Sequence, residues 1–255
     1  MRNAMLSCFV VLFSVKGLAA TGKTLTVGFG AHNSPPYALI KGEVNTGGVI
    51  ADIIGEISDS LDINSRFVFV PRKRIEKYLL DGTIDFYLIS NPKWISHNAL
   101  IWTIPIFKEK NVIVVKKESK DYETLEDLHQ KTVGTIRGFV YPSLTEAFDT
   151  QYISRTDVRS LKLNFERLSK GWIDGFIDSD ILIDYVFKEH NYDDDFKVAS
   201  YLVSEHLIYG VLSPKSDISI EEINNALDKL ITEGVISAIL SKYRINESGI
   251  AKKKK

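Results

Sequence analysis

Arginines in this sequence recur just after strand-like apolar segments. Arg72 and Arg74 follow a run that ends at Val70, and Arg137 follows the run Thr132–Ile136. A guanidinium group carries a planar fork of N–H donors that matches a carboxylate or a phosphate. These positions predict recognition of an anionic or planar small molecule.

Aromatic and small polar residues occur in the same segments and complete a predicted ligand site. Gly138 permits close backbone approach, and free N–H groups around it would add donors for an anion. The predicted ligand-binding residues are Tyr37, Arg72, Arg74, Ser90, Asn91, Arg137, Gly138, Phe139, Tyr141 and Asp178. Structural alternatives stay open for several of them: Arg72 and Arg74 as solvated helix charges, and Phe139 and Tyr141 as packing residues.

Catalytic and metal chemistry find little support in the residue spacing. The motifs HExxH, GxxxxGK[ST] and GxSxG do not occur, and the five histidines are far apart in the sequence. We therefore predict no catalytic residues, no metal and no cofactor. Asp178 and Asp180 precede an apolar helical segment, so we expect one of them to cap that helix. Acid–base catalysis by this pair is the alternative.

Composition limits the class of protein. The 255 residues are 44% apolar and 25% charged, which is typical of globular proteins and excludes a disordered, collagen-like or coiled-coil chain. The net charge of -1 disfavours a dedicated nucleic-acid-binding protein. Cys8 is the single cysteine, so the chain has no intramolecular disulfide and no cysteine-based zinc site.

The N-terminal segment reads as a secretory signal peptide, residues 1–20. Arg2 precedes an uncharged apolar run over 4–15, which is too short to span a bilayer, and small residues follow at Gly17 and Ala19. We expect cleavage near Ala19 or Ala20 and a periplasmic protein. At the other end, residues 246–255 form a lysine-rich tail that we expect to be solvated.

Between these ends, strand-like and helix-like segments alternate. Strands are predicted at Thr24–Gly30, Arg66–Val70 and Ile84–Ile89, with amphipathic helical segments between them, and a similar second unit follows. This alternation predicts an α/β fold with mainly parallel sheets. Ser219, with Glu222 three residues later, is a capping box that starts the last predicted helix.

Six segments, in order, resemble one family. They are GGVIADIIGEISDSLDI, VPRKRIEKYLLDGTIDFYLIS, LEDLHQKTVGTIRGFVY, FERLSKGWIDGFID, LIYGVLSPKS and ALDKLITEGVISAILSKY. Together they are similar to extracellular solute-binding proteins of the polar amino-acid type (family 3, periplasmic-binding-protein type II fold). Each motif is loose alone, but the order is specific, and the resemblance covers nearly all of 24–245.

The resemblance implies a two-lobed α/β fold, each lobe a mixed sheet flanked by helices, with ligand held between the lobes. Lobe 1 would comprise 24–111 plus 207–245, and lobe 2 would comprise 112–206. Two crossovers would join them, near Val112–Val115 and Tyr201–His206, and closure would be a hinge motion.

The sequence departs from the part of this family that binds α-amino acids. Those members hold the ligand carboxylate with an arginine, but the aligned position here is Ser96 or His97. Their ammonium-binding aspartate aligns with Ser179, and their hydroxyl donors align with Phe139 and Val140. The resemblance thus supports a binding role and argues against an ordinary α-amino-acid ligand.

We therefore predict a monomeric periplasmic solute-binding protein. It would capture a small polar or anionic solute for an inner-membrane transporter, such as an ABC permease, or for a sensor. Two alternatives remain: an enzyme on the same fold, resembling cyclohexadienyl dehydratases, and a binding protein without a transport role. Fold alone does not separate them.

Overall fold

The computed structural model describes residues 22–95 and 97–243. The predicted signal peptide with Cys8, the candidate position Ser96 and the predicted basic tail lie outside the described residues.

Strands and helices alternate along the described chain, as the sequence predicts. The strands are β1 (Thr24–Phe29), β2 (Leu39–Lys41), β3 (Val44–Gly47), β4 (Asn64–Phe69), β5 (Phe86–Ser90), β6 (Ile101–Trp102), β7 (Phe107–Lys116), β8 (Thr132–Ile136), β9 (Ser154–Val158), β10 (Gly175–Ser179) and β11 (Phe196–Leu212). The helices are α1 (Val49–Leu61), α2 (Ile75–Asp81), α3 (Thr145–Asp149), α4 (Leu161–Ser169), α5 (Asp180–His190), α6 (Ile220–Thr232) and α7 (Val235–Tyr243).

The first lobe is built on the parallel strands β4, β1 and β5, in that spatial order. Helix α1 packs on one face because its apolar residues recur at helical spacing. Ile50, Ile53, Ile54 and Ile57 are all fully buried, in one core with residues of α6 and α7.

The second lobe is built on the parallel strands β10, β8 and β9. One core lies on each face of this sheet, one containing Tyr141 and Leu144 and the other containing Phe165 and Phe176. The expected two-lobed α/β architecture is therefore confirmed.

The long antiparallel pair β7 and β11 joins the two sheets. At one end β11 pairs with β5, and at the other end β7 pairs with β10. The predicted first crossover, Val112–Val115, is misplaced, because Val112 already pairs with Asp178 inside the second sheet. The connecting part of β7 is 107–110, where the strand pairs with β11 and not with β10.

Other departures from the predicted elements follow from weak local signals. Strands β2 and β3 are three and four residues long, and strand β9 is mostly polar, so alternation did not reveal them. Helix α5 starts at Ser179 as N-cap, so the expected capping by Asp178 or Asp180 is wrong. The capping box of Ser219 and Glu222 is confirmed, with hydrogen bonds of 3.1 and 2.7 Å.

Two glycines provide a test of packing between β5 and β11. A Cβ atom at Gly210 would overlap the fully buried ring of Phe86, whereas a Cβ atom at Gly55, inside α1, would meet open space. We expect Gly210→Ala to lower the free energy of unfolding by about 1–3 kcal/mol, and Gly55→Ala to raise it by about 0.5–1 kcal/mol. Urea denaturation measures both, and equal effects of the two substitutions would contradict the packing described.

Candidate ligand-binding site

The carboxyl ends of the parallel strands bring most of the predicted site residues to the region between the lobes. In open α/β sheets, ligands bind outside these ends. In the first lobe, Tyr37 lies in the loop after β1, Arg72 lies after β4, and Ser90 ends β5. In the second lobe, Arg137 follows β8, and Asp178 is the second-to-last residue of β10, just before α5.

Tyr37 makes the contact between these two groups of strand ends. Its side chain is 6% exposed, and its hydroxyl donates a hydrogen bond to Glu109 Oε2. The same hydroxyl oxygen lies 3.1 Å from Ser179 Oγ. Because the phenol has one proton and gives it to Glu109, Ser179 is the donor in this second bond. Burial, and then the charge of Glu109, raises the pKa of Tyr37 well above its usual range.

Glu109 is a site residue that the sequence analysis missed. It lies on the connecting part of β7, is 8% exposed, and pairs across the strands with His206 of β11. His206 Nε2 lies 3.4 Å from Glu109 Oε1 but forms no hydrogen bond there. In the sequence, Glu109 stands in the run Lys108–Lys110, which resembles a solvated charged segment, so nothing local marks it as buried.

Asp178 is a buried carboxyl group beside Glu109. Its Oδ1 accepts a hydrogen bond from the amide of Ser179 at 2.8 Å. Burial, opposed by the hydrogen bond from the Ser179 amide and assisted by the charge of Glu109, raises the pKa of Asp178 to about 7. Asp178 also helps to raise the pKa of Tyr141, after the larger effect of burial. Asp178 therefore binds a proton near neutral pH, between Glu109 and Tyr141.

Ser90 is the last residue of β5 and Asn91 follows it, and their side chains have different environments. Ser90 is 1% exposed and its hydroxyl oxygen is buried without a hydrogen-bond partner. Asn91 donates from Nδ2 to the carbonyl of Leu207 at 2.8 Å and accepts from the amide of Lys93 at 2.9 Å. The Asn91 side chain thus fixes the turn after β5 to β11.

The two arginines after β4 are separated by the turn that starts α2. Arg72 lies near His32, and burial, followed by the smaller effect of the Arg72 charge, lowers the pKa of His32 to about 4. His32 Nε2 is 3.1 Å from the hydroxyl of Tyr87. Arg74 is exposed and donates to the hydroxyl of Tyr78 along the helix at 3.3 Å. Only Arg72 joins a polar cluster at the strand ends.

The loop after β8 presents Arg137 from a fixed backbone. Gly138 adopts φ +87, a conformation that side-chain-bearing residues rarely adopt. The carbonyl of Phe139 accepts a hydrogen bond from Arg155 Nη2 at 2.9 Å. The Phe139 ring is 55% exposed, whereas Tyr141 is 3% exposed and packs in the core.

The expectation of free N–H groups in this loop is wrong for two residues. The amide of Arg137 donates to Val158 at 2.8 Å, and the amide of Phe139 donates to Ile136 at 3.1 Å. The Arg137 side chain is exposed, so the guanidinium group, not these amides, is the donor that this loop offers to an anion.

A separate groove of about 440 Å³ lies at the opposite, amino-terminal end of the second-lobe strands. Its lining includes Lys116, Tyr122, Lys131 and Asp174. Lys131 is paired with Asp174 at 3.6 Å. No candidate residue from the sequence lines this groove.

Comparison with known proteins identifies the family. The model of bacterial extracellular solute-binding proteins, family 3, matches residues 25–246. The chain belongs to this family. No curated protein sequence matches it significantly. Across the described residues, no helix is long and apolar enough to cross a membrane, and no group of three or more His, Cys, Asp or Glu residues is placed to hold a metal ion.

Solved structures share the fold at low sequence identity. The GluR0 ligand-binding core in complex with L-glutamate is 17% identical, with a TM-score of 0.71 over 88% of this chain and 100% of that one. Substrate-binding domain 2 of Lactococcus lactis GlnP, in an open conformation, is 16% identical, with a TM-score of 0.68 over 89% and 97%. The periplasmic VFT2 domain of Bordetella pertussis BvgS is 16% identical, with a TM-score of 0.69 over 87% and 93%.

The raised pKa of Asp178 predicts a pH dependence of stability. A carboxyl group with a raised pKa stabilises the folded state fully below its unfolded value near 4, and this contribution is lost as the pH rises through about 7. We expect Asp178→Asn, which keeps an acceptor for the Ser179 amide, to remove this loss. The unfolding free energy of the variant relative to the unmodified protein should therefore rise between pH 5 and 8.

Urea denaturation at several pH values measures this difference. Glu166→Gln, at an exposed position of α4, is the control and should leave the pH dependence unchanged. A difference between Asp178→Asn and the unmodified protein that stays constant with pH would contradict the assignment.

Proposed function

We propose that this protein captures a small polar or anionic solute between its two lobes for a membrane transporter or a sensor. One observation carries the proposal: Tyr37 of the first lobe contacts Ser179 of the second, with the tyrosine hydroxyl oxygen 3.1 Å from Ser179 Oγ. Clefts between lobes favour ligand binding because they bury much of a small molecule while polar groups fix its orientation. Membership of the solute-binding family supports the same role.

The proposed lobes are 24–111 plus 207–245 and 112–206. The proposed contacts with solute come from Tyr37, Arg72 and Ser90 of the first lobe, and from Arg137, Gly138, Phe139, Tyr141 and Asp178 of the second. Asn91 and Arg74 would act indirectly, since their side chains bond to Leu207 and Tyr78.

The solute class follows from the charges at the cleft. Arg137 and Arg72 supply donors for a carboxylate or another anion. The glutamate bound by the GluR0 core is in keeping with a carboxylate-bearing solute. Ser179 aligns with the aspartate of α-amino-acid binders, and Ser96 or His97 aligns with their arginine, which argues against an ordinary α-amino acid.

The proposed setting is the periplasm, reached through a cleavable signal peptide over 1–20, with the mature protein monomeric. A transporter role is supported by the likeness to a domain of GlnP, and a sensor role by the likeness to a domain of BvgS. An ABC permease is the proposed partner for transport.

A dehydratase-like enzyme is the second candidate, favoured by one observation. Asp178 has a pKa of about 7 and lies near Tyr141, so it is suited to give or take a proton at neutral pH. Turnover of a bound solute, abolished by Asp178→Asn, would favour this enzyme over a binding protein.

Arg137→Ala tests the solute class. A thermal-shift screen of amino acids, organic anions, peptides and nucleosides first identifies a solute, because a ligand at 100 times its Kd adds about 2.7 kcal/mol of stability. For an anionic solute, we expect Arg137→Ala to weaken binding by about 1.5–3 kcal/mol in calorimetry, since a hydrogen bond to a charged group is lost.

His97→Ala and Arg74→Ala are the matched controls and should change the affinity much less. If His97→Ala abolished binding while Arg137→Ala did not, the assignment of Arg137 would be wrong.

Export is tested separately from binding. The apolar run over 4–15 and the small residues Gly17 and Ala19 predict that exported protein begins near Ala20 or Thr21. Intact-mass measurement of periplasmic material determines this, and exported protein that begins at Met1 would contradict the proposed signal peptide.

A further inference from the structure

Two consecutive crossover residues are bonded to opposite lobes. The Glu109 carboxylate accepts the hydrogen bond of Tyr37, which belongs to the first lobe. The amide of Lys110 donates to Asp180 Oδ1, at the start of α5 in the second lobe, at 3.0 Å. A movement of one lobe relative to the other must therefore strain or break contacts around this short segment of β7.

The burial of Glu109 makes its hydrogen bond to Tyr37 important. A buried carboxylate is costly unless it is paired or hydrogen-bonded. Lys108, one residue away on β7, is paired with Glu205 at 2.7 Å and not with Glu109. Among the described residues, the ion pair found for Glu109 is with His206, at 3.4 Å and without a hydrogen bond. The Tyr37 hydroxyl is thus the donor that stabilises this carboxylate.

Tyr37 also contacts the second lobe, through Ser179. Its hydroxyl group has its proton directed at Glu109, which leaves the oxygen lone pairs to accept from Ser179. The backbone of Tyr37 is also fixed, because its carbonyl accepts from the amide of Ile50 in α1 at 2.9 Å. Loss of Glu109 would free the phenol proton to turn toward Ser179 or solvent, so a buried acceptor would no longer orient the hydroxyl group.

Other contacts between the lobes lie along α5 and are less directional, beginning with Ile181 and Leu182, which are buried in the core that also contains residues of α1, α6 and α7. The rings of Tyr185 and Tyr243 have centroids 6.5 Å apart, and the exposed Lys188 donates to the carbonyl of Lys242 at 3.1 Å. Neither contact involves Tyr37 or Glu109. These contacts hold α5 against the first lobe, and the Tyr37 hydroxyl adds a directional contact at the strand ends of the cleft.

We propose that Glu109 is a positioning residue of the ligand site: its carboxylate holds the Tyr37 hydroxyl against Ser179 and so favours the lobe arrangement in which the cleft residues face each other. This inference rests on the proposed function, because it assigns Glu109 a role in shaping that cleft. The effect does not require bound solute, so it is measurable on the ligand-free protein.

Spin-label distance measurements test the proposal directly. Labels are placed at Val44→Cys in the first lobe and Leu163→Cys in the second, both exposed positions, in the full chain with Cys8→Ser. The measured quantity is the population at the distance seen in the unmodified protein divided by the population at all other distances. We expect Glu109→Ala and Tyr37→Phe each to lower this ratio about tenfold, because each variant loses one charge-assisted hydrogen bond. Glu109→Gln, which keeps an acceptor, should have a smaller effect.

A double-mutant cycle separates this role from a general loss of stability. The combined variant Glu109→Ala/Tyr37→Phe should change the ratio no more than either single variant, because both remove the same contact. Glu205→Gln, on the neighbouring crossover strand and paired with Lys108 in an exposed ion pair, is the control and should leave the distances unchanged. Circular dichroism confirms that each variant is folded.

Unchanged distances in folded Glu109→Ala and Tyr37→Phe, or additive effects in the combined variant, would overturn the proposal. An equal shift in Glu205→Gln would also overturn it. These results would leave solute binding intact, whereas failure of every solute in the thermal-shift screen would count against the proposed function and not against the role of Glu109.

Discussion

A buried carboxylate on a crossover strand, bonded to one tyrosine hydroxyl, is the contact on which the geometry of the cleft depends. Glu109 lies where β7 passes from the first sheet to the second, and its partner Tyr37 is held there with its hydroxyl oxygen 3.1 Å from Ser179 Oγ. The cost of burying this charge makes the contact specific, because moving the tyrosine away would leave the carboxylate without its donor.

The charges around this contact divide the cleft into two unlike regions. Near the crossovers, Glu109 and Asp178, whose pKa is raised to about 7, form an acidic, largely buried region. Toward solvent, Arg137 extends from a loop whose backbone is held by Arg155. A solute with an anionic group would be oriented by this difference, with its anion toward Arg137 and away from Glu109.

Periodicity and turn chemistry were enough to predict the alternating fold, because α1 has a continuous apolar face and Ser219 has a complete capping box. The first crossover was placed less accurately, because the apolar residues Val112–Val115 belong to the part of β7 that already pairs in the second sheet. Glu109 was missed for a different reason. Its burial arises from strand pairing with His206 and from the approach of Tyr37, which are long-range contacts that the flanking lysines conceal in the sequence.

The most direct test of this account is a crystal structure with the solute that gives the largest thermal shift. The account predicts the solute between the carboxyl ends of the strands of the two lobes, within hydrogen-bond distance of Arg137, with Tyr37 bonded to Glu109. A solute seated in the groove lined by Lys116, Tyr122 and Lys131, with the space between the lobes occupied only by solvent, would contradict it.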